Sequence, residues 1–91
     1  MIYLAVNLKY LRQRRGASQD VVAIALDVKR SSYSGYENGT AEPCLAVLLR
    51  MSEYFRIPLD NLVGQDLVTI PEFRLGTMER AFTPINSKAA A

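Results

Sequence analysis

Apolar residues recur along the first two thirds of the chain at helical spacing. In YLAVNLKYLRQRRG, Leu4, Leu8 and Leu11 fall on one stripe, and Gly16 follows where a helix ending in the left-handed conformation places its glycine. The segment ASQDVVAIALD predicts a short second helix, with Ser18 as N-cap, Asp20 complementing the dipole in the first turn, and Val22, Ala23 and Leu26 as the buried face. Its alanines permit close approach by a neighbour. After Pro43, the residues Leu45, Leu48, Leu49, Met51, Ser52 and Phe55 define a further apolar face, and IPLDNLVG predicts a short helix between Pro58 and Gly64 with Leu59 and Leu62 inward. Alternation of the strand type goes no further than LVTI. The pattern is all-α over Leu4 to Gly64.

Between these segments lies KRSSYSGYENG, built from weak helix formers. Placed at 100° steps, Arg30 to Asn38 separates into two sides: Ser32, Tyr33, Tyr36 and Glu37 on one, and Arg30, Ser31, Ser34, Gly35 and Asn38 on the other. The second side has no apolar side chain. Packing of the tyrosines, rather than propensity, would hold such a helix, leaving a flat hydrogen-bonding side narrow enough to approach a DNA groove. Arg30 on that side has the donors for a bidentate contact to guanine N7 and O6.

Composition removes several function classes. The chain has 91 residues, one domain's worth, so a separate ligand-sensing domain is not expected. There is no histidine and a single cysteine, Cys44, which leaves no metal-ligand cluster, no histidine-dependent nucleophile and no internal disulfide. An enzyme is not expected, nor is a cofactor, and nothing points to a small-molecule pocket. No apolar run approaches the roughly 18 residues of a membrane span, and the N-terminal segment turns charged too early for a signal peptide, so the expectation is a soluble, cytoplasmic protein with no membrane partner. The net charge of +2 is small, but residues 1–40 carry a net +3 and the remainder a net −1. That asymmetry fits either one face meant for an anion or a solvated basic surface.

The run from NLKYLRQRRG through SQ, YENG, EP and IPLDNLVG resembles the lambda-repressor-like, Cro/repressor-type (XRE-family) helix-turn-helix domain over nearly two thirds of the chain. The resemblance implies a compact five-helix bundle over residues 1–64, followed by a short C-terminal tail, residues 65–91. It also implies double-stranded DNA as the partner and transcriptional regulation as the role. Arg30, Ser31, Ser34 and Gly35 match positions that face bases in the major groove. Gln19, Lys29, Asn38 and Ser18 match positions at phosphates, and Gln19 also braces the third helix. Arg12 and Glu37 match a structural salt bridge between the first and third helices. The implied assembly is a homodimer, most simply a repressor, on a pseudo-palindromic operator. The alternative is a protein-interaction module, an antitoxin or regulatory adaptor, that retains the fold.

Four positions depart from the family pattern. Gly35 stands where relatives often present a base-reading side chain, which leaves direct readout to Arg30 and the serines. Lys29 replaces the usual Ser or Thr cap, so the third helix is expected to be poorly capped. Asp27 stands where the inter-helix turn usually has glycine, and Cys44 replaces a cap residue and is expected to be an inert, half-buried thiol. Tyr33 and Tyr36 are assigned to the core, while Arg14 and Arg15 have either phosphate or solvent as partner. The stretch DLVTIPEFRLGTMERAF shows no clean period and could be extended, a dimer contact or unordered, and TPINSKAAA reads as a disordered end.

Overall fold

A computed structural model of the chain describes residues 3–84. Six α-helices follow one another among the described residues: α1 (Leu4–Arg14), α2 (Gln19–Leu26), α3 (Arg30–Asn38), α4 (Leu45–Phe55), α5 (Leu59–Gly64) and, after a 3₁₀ turn at Leu67–Thr69, α6 (Glu72–Ala81). No strand occurs among them. The all-α expectation holds, and the five expected helices form where the apolar stripes place them. The end that was read as disordered lies mostly outside the described residues.

Each helix is bounded by local chemistry. The Ser18 hydroxyl accepts from the Val21 N–H at 3.1 Å, capping α2 as expected. Lys29 at the start of α3 and Cys44 at the start of α4 make no side-chain cap bond. Tyr33 and tertiary packing therefore hold α3, which agrees with its weak formers. Gly39 closes α3 at φ +76°, and Asp27 closes α2 at φ +59°, in the left-handed region that costs a non-glycine residue on the order of 1–2 kcal/mol. Asp27→Gly should therefore raise stability by about 0.5–1 kcal/mol after the extra unfolded-state freedom of glycine is subtracted. Chemical denaturation checks it: a less stable variant would show that the Asp27 side chain contributes to the native state.

One core binds all six helices. Leu4, Leu8 and Leu11 of α1 meet Val22, Ala23 and Leu26 of α2, Tyr33 of α3, and Val47, Met51 and Phe55 of α4, with Ile57 and Leu62 in the same cluster. α1 packs on α3 and α5, and α2 on α3 and α4. The apolar face of α4 is shifted from the expected one: Val47 is buried, whereas Leu45 in the first turn is 64% exposed. Cys44 beside it is exposed rather than half-buried.

The segment beyond Gly64 adds to this core. Leu67, Ile70 and Leu75 are buried within it, so residues 67–75 close the bundle instead of trailing from it. Arg14 at the end of α1 holds α6 by pairing with Glu72 and, at 2.7 Å, with Glu79. Among the described residues, no helix is long and apolar enough to cross a membrane.

Candidate nucleic-acid interface

The exposed side of α3 is set by what holds its buried side. Glu37 has a side chain only 2% exposed, and Arg12 of α1 grips it with two donors: Nε to Oε2 at 2.7 Å and Nη2 to Oε1 at 3.2 Å. The third donor of Arg12, Nη1, reaches the Ala17 carbonyl at 3.0 Å and fixes the turn into α2. Gln19, the first residue of α2, donates its amide to Glu37 Oε1 at 3.1 Å. One carboxylate thus ties α1, α2 and α3 together, and the expected Arg12–Glu37 bridge and the bracing of α3 by Gln19 are both present. Burial opposes the charge on Glu37, but the neighbouring donors, Arg12 first and then the Tyr33 hydroxyl and Gln19, outweigh it and hold the carboxyl below its ordinary value of 4.5.

Tyr33 lies beside this network, fully buried, with its hydroxyl next to the Glu37 carboxylate but outside good hydrogen-bond geometry. Burial pushes its ionisation well above the ordinary value of 10.0. Because the buried hydroxyl is compensated only weakly by Glu37, Tyr33→Phe should change stability by no more than about 1 kcal/mol in either direction in a denaturant titration. A loss of 2 kcal/mol or more would reveal a bond that the hydroxyl makes. Tyr36, half-buried, packs against the core as expected.

On the outer side, Gln19, Arg30, Ser31 and Ser34 line one shallow open cleft where the start of α2 meets the first turns of α3. Lys29 beside it and Ser31 within it are exposed, as is Asn38 at the far end of α3, whose amide lies 3.5 Å from the Ser34 hydroxyl. Gln19 uses one amide hydrogen on Glu37 and keeps the other. The Ser18 hydroxyl accepts from Val21 and retains its own hydrogen. Both retained donors suit an anionic oxygen at the edge of this surface.

Gly35 stands apart from its neighbours. A Cβ there would lie 3.2 Å from the Ala41 Cβ and 3.3 Å from Thr40 Oγ1, and the Gly35 carbonyl accepts from the Thr40 N–H at 3.0 Å. Close approach of the loop that leaves α3 accounts for the glycine. The helical period and the family resemblance set Gly35 with the base-facing residues, and the return of residues 40–41 over α3 leaves no mark in that period.

Much of the N-terminal positive charge is consumed inside the fold. Arg12 and Arg14 are paired with carboxylates, and the Arg15 guanidinium sits 4.8 Å from the centre of the Tyr54 ring. Of the two residues given either phosphate or solvent as partner, Arg14 has instead the carboxylates of α6. Lys29 and Arg30 are the basic side chains left at the cleft, and Arg30 makes an exposed ion pair with Asp20 at 3.5 Å. Among the described residues, no group of three or more His, Cys, Asp or Glu side chains is placed to hold a metal.

Comparison with known proteins matches residues 4–63 to the model described as "Helix-turn-helix domain". Among curated proteins, the chain is 29% identical over 66 residues to the cryptic phage CTXphi transcriptional repressor RstR of Vibrio cholerae, covering 72% of this chain and 60% of that protein. It is 32% identical over 66 residues to the HTH-type transcriptional regulator ImmR of Bacillus subtilis, covering 72% and 52%. It is 31% identical over 67 residues to the HTH-type transcriptional activator BcrR of Enterococcus faecalis, covering 72% and 33%. The chain thus spans three fifths or less of the length of these relatives. No solved structure matches at comparable significance.

Proposed function

The chain belongs to the helix-turn-helix domain family, and on that premise we propose that it is a sequence-specific DNA-binding transcriptional regulator with no enzymatic role. The observation that supports this reading best is the polar cleft of Gln19, Arg30, Ser31 and Ser34, carried on a helix whose opposite side is locked by Glu37. In the proposed complex α3 enters the major groove. Arg30 takes guanine N7 and O6, and Ser31 and Ser34 supply short hydrogen bonds to neighbouring base edges. Gly35 contributes at most a close backbone approach. Gln19, Lys29, Asn38 and Ser18 hold phosphates and set the register.

One such domain offers one reading helix and therefore one half-site, so the regulator acts as a homodimer on a pseudo-palindromic operator. Exposed Phe73 on α6 and Val68 in the preceding turn supply apolar surface for the contact. Repression by occupying a promoter is the simplest mode for such a domain, and RstR is a transcriptional repressor by name.

A second reading, a protein-interaction module, draws on the small amount of free positive charge at the cleft and on Ile24, which α2 leaves 79% exposed. Affinity measurements on Arg30 and Gln19 variants separate the two. Arg30→Ala should relax preference at one base position by about 1–3 kcal/mol, whereas Gln19→Ala should weaken binding to all sequences alike. Equal losses of specific and random binding in Arg30→Ala would remove Arg30 as a base reader. Absence of any salt-dependent DNA binding would favour the protein partner.

A further inference from the structure

Asp20 is an unexpected neighbour for a DNA-reading side chain. It stands in the first turn of α2, and its carboxylate lies 3.5 Å from the Nε of Arg30 across the α2–α3 junction, with both side chains 65% exposed. A carboxylate at a surface that meets phosphates lowers affinity for every sequence. Its position against one particular nitrogen supplies a reason for it to be there.

Building on the DNA-binding reading, we propose that Asp20 is a positioning residue for base recognition: it holds Arg30 through Nε and leaves the Nη1/Nη2 fork free for guanine. An arginine has three nitrogens, and a bidentate contact to N7 and O6 needs only two of them. An ion pair at Nε engages the third and restricts the long side chain before docking, and Arg30 lines the same cleft as Ser31 and Ser34. Gln19 is the side chain of α2 that lines this cleft, and one of its amide hydrogens is committed to Glu37. Asp20 is therefore the carboxylate that α2 presents to Arg30. A matched guanine gains from a preset fork, whereas a mismatched base does not, so Asp20 acts on specificity rather than on overall affinity.

The test compares the full chain with Asp20→Ala, Arg30→Ala and the double variant. Each is titrated on the preferred duplex selected by the wild type, on that duplex changed at the base pair Arg30→Ala ceases to discriminate, and on random duplex. Asp20→Ala should lose discrimination at that base pair by roughly two- to fivefold, the range an exposed ion pair can supply. Its affinity for random DNA should stay equal or rise. In the Arg30→Ala background the substitution should have no further effect on discrimination. Unchanged discrimination, loss at a different base pair, or a loss that persists without Arg30 would each overturn the positioning role while leaving DNA recognition intact. A wild type with no preferred duplex would remove the recognition reading and this inference together.

Discussion

Glu37→Ala should destabilise the domain by roughly 3–5 kcal/mol, a large share of the roughly 5–15 kcal/mol that holds a domain folded. The substitution leaves the Arg12 guanidinium, itself only 14% exposed, without its carboxylate, and it releases the amide of Gln19. Three helices lose their common tie. Replacing both charges, as in Arg12→Met with Glu37→Leu, removes the stranded charge and should recover much of the loss, because the penalty lies in leaving one partner alone rather than in the net strength of the pair. Urea titrations of the single and double variants measure the difference, and a Glu37→Ala loss below 1 kcal/mol would contradict the arrangement. The pH dependence has a defined sign. Glu37 titrates below its ordinary 4.5 in the folded protein, so its contribution is fully present above that value and is lost as the pH falls through the lowered native one. Wild-type stability should fall below about pH 4.5, and Glu37→Gln should fall less steeply over the same range.

Asn7 carries the second large effect. It is fully buried on α1, and its amide uses every polar atom: Nδ2 donates to the Leu62 carbonyl at 2.8 Å and the Gln65 carbonyl at 2.7 Å, while Oδ1 accepts from the Leu67 N–H at 3.1 Å. These bonds satisfy the end of α5 and fix the turn that leads into α6. Asn7→Ala leaves two carbonyls and one N–H short of partners and opens a small void, so a loss of about 2–4 kcal/mol is expected. Asn7→Asp is the sharper variant. It keeps the acceptor for Leu67 but sets a carboxylate oxygen against two carbonyls, so near neutral pH it should be at least as damaging as alanine. Protonation restores one donor, and its deficit should shrink in acid. Equal stability of Asn7→Asp and wild type at pH 7 would show that the amide is not engaged as described.

These two residues also show how far the sequence was legible. Helices α1 to α5 were readable because each carries its own period and its own punctuation: Leu4, Leu8 and Leu11 before Gly16, Ser18 before α2, and Pro58 before α5. The Arg12–Glu37 tie came from the family pattern, since no local rule pairs residues 25 apart. Asn7 did leave a signal, a polar residue on the same stripe as Leu4, Leu8 and Leu11, and such an intruder needs partners for all its polar atoms. The α6 helix left almost none. Leu75 is its one buried residue, Gly76 interrupts it, and its anchor is Arg14, 58 residues from Glu72. The same distance hid the fate of the basic residues. Charge counted along residues 1–40 overstated the free positive surface, because Arg12 and Arg14 find carboxylates on α3 and α6 and Arg15 finds an aromatic ring on α4.

The central claim is that the cleft on α3 reads DNA sequence as part of a two-fold assembly. Selection of binding sites from a random duplex library, with the best site then titrated at two salt concentrations, tests it most directly. The account predicts enrichment of an inverted repeat containing a guanine in each half, with affinity well above that for random duplex and a fall as salt rises. A library that emerges unenriched, with binding that is absent or equal for all sequences, would contradict it.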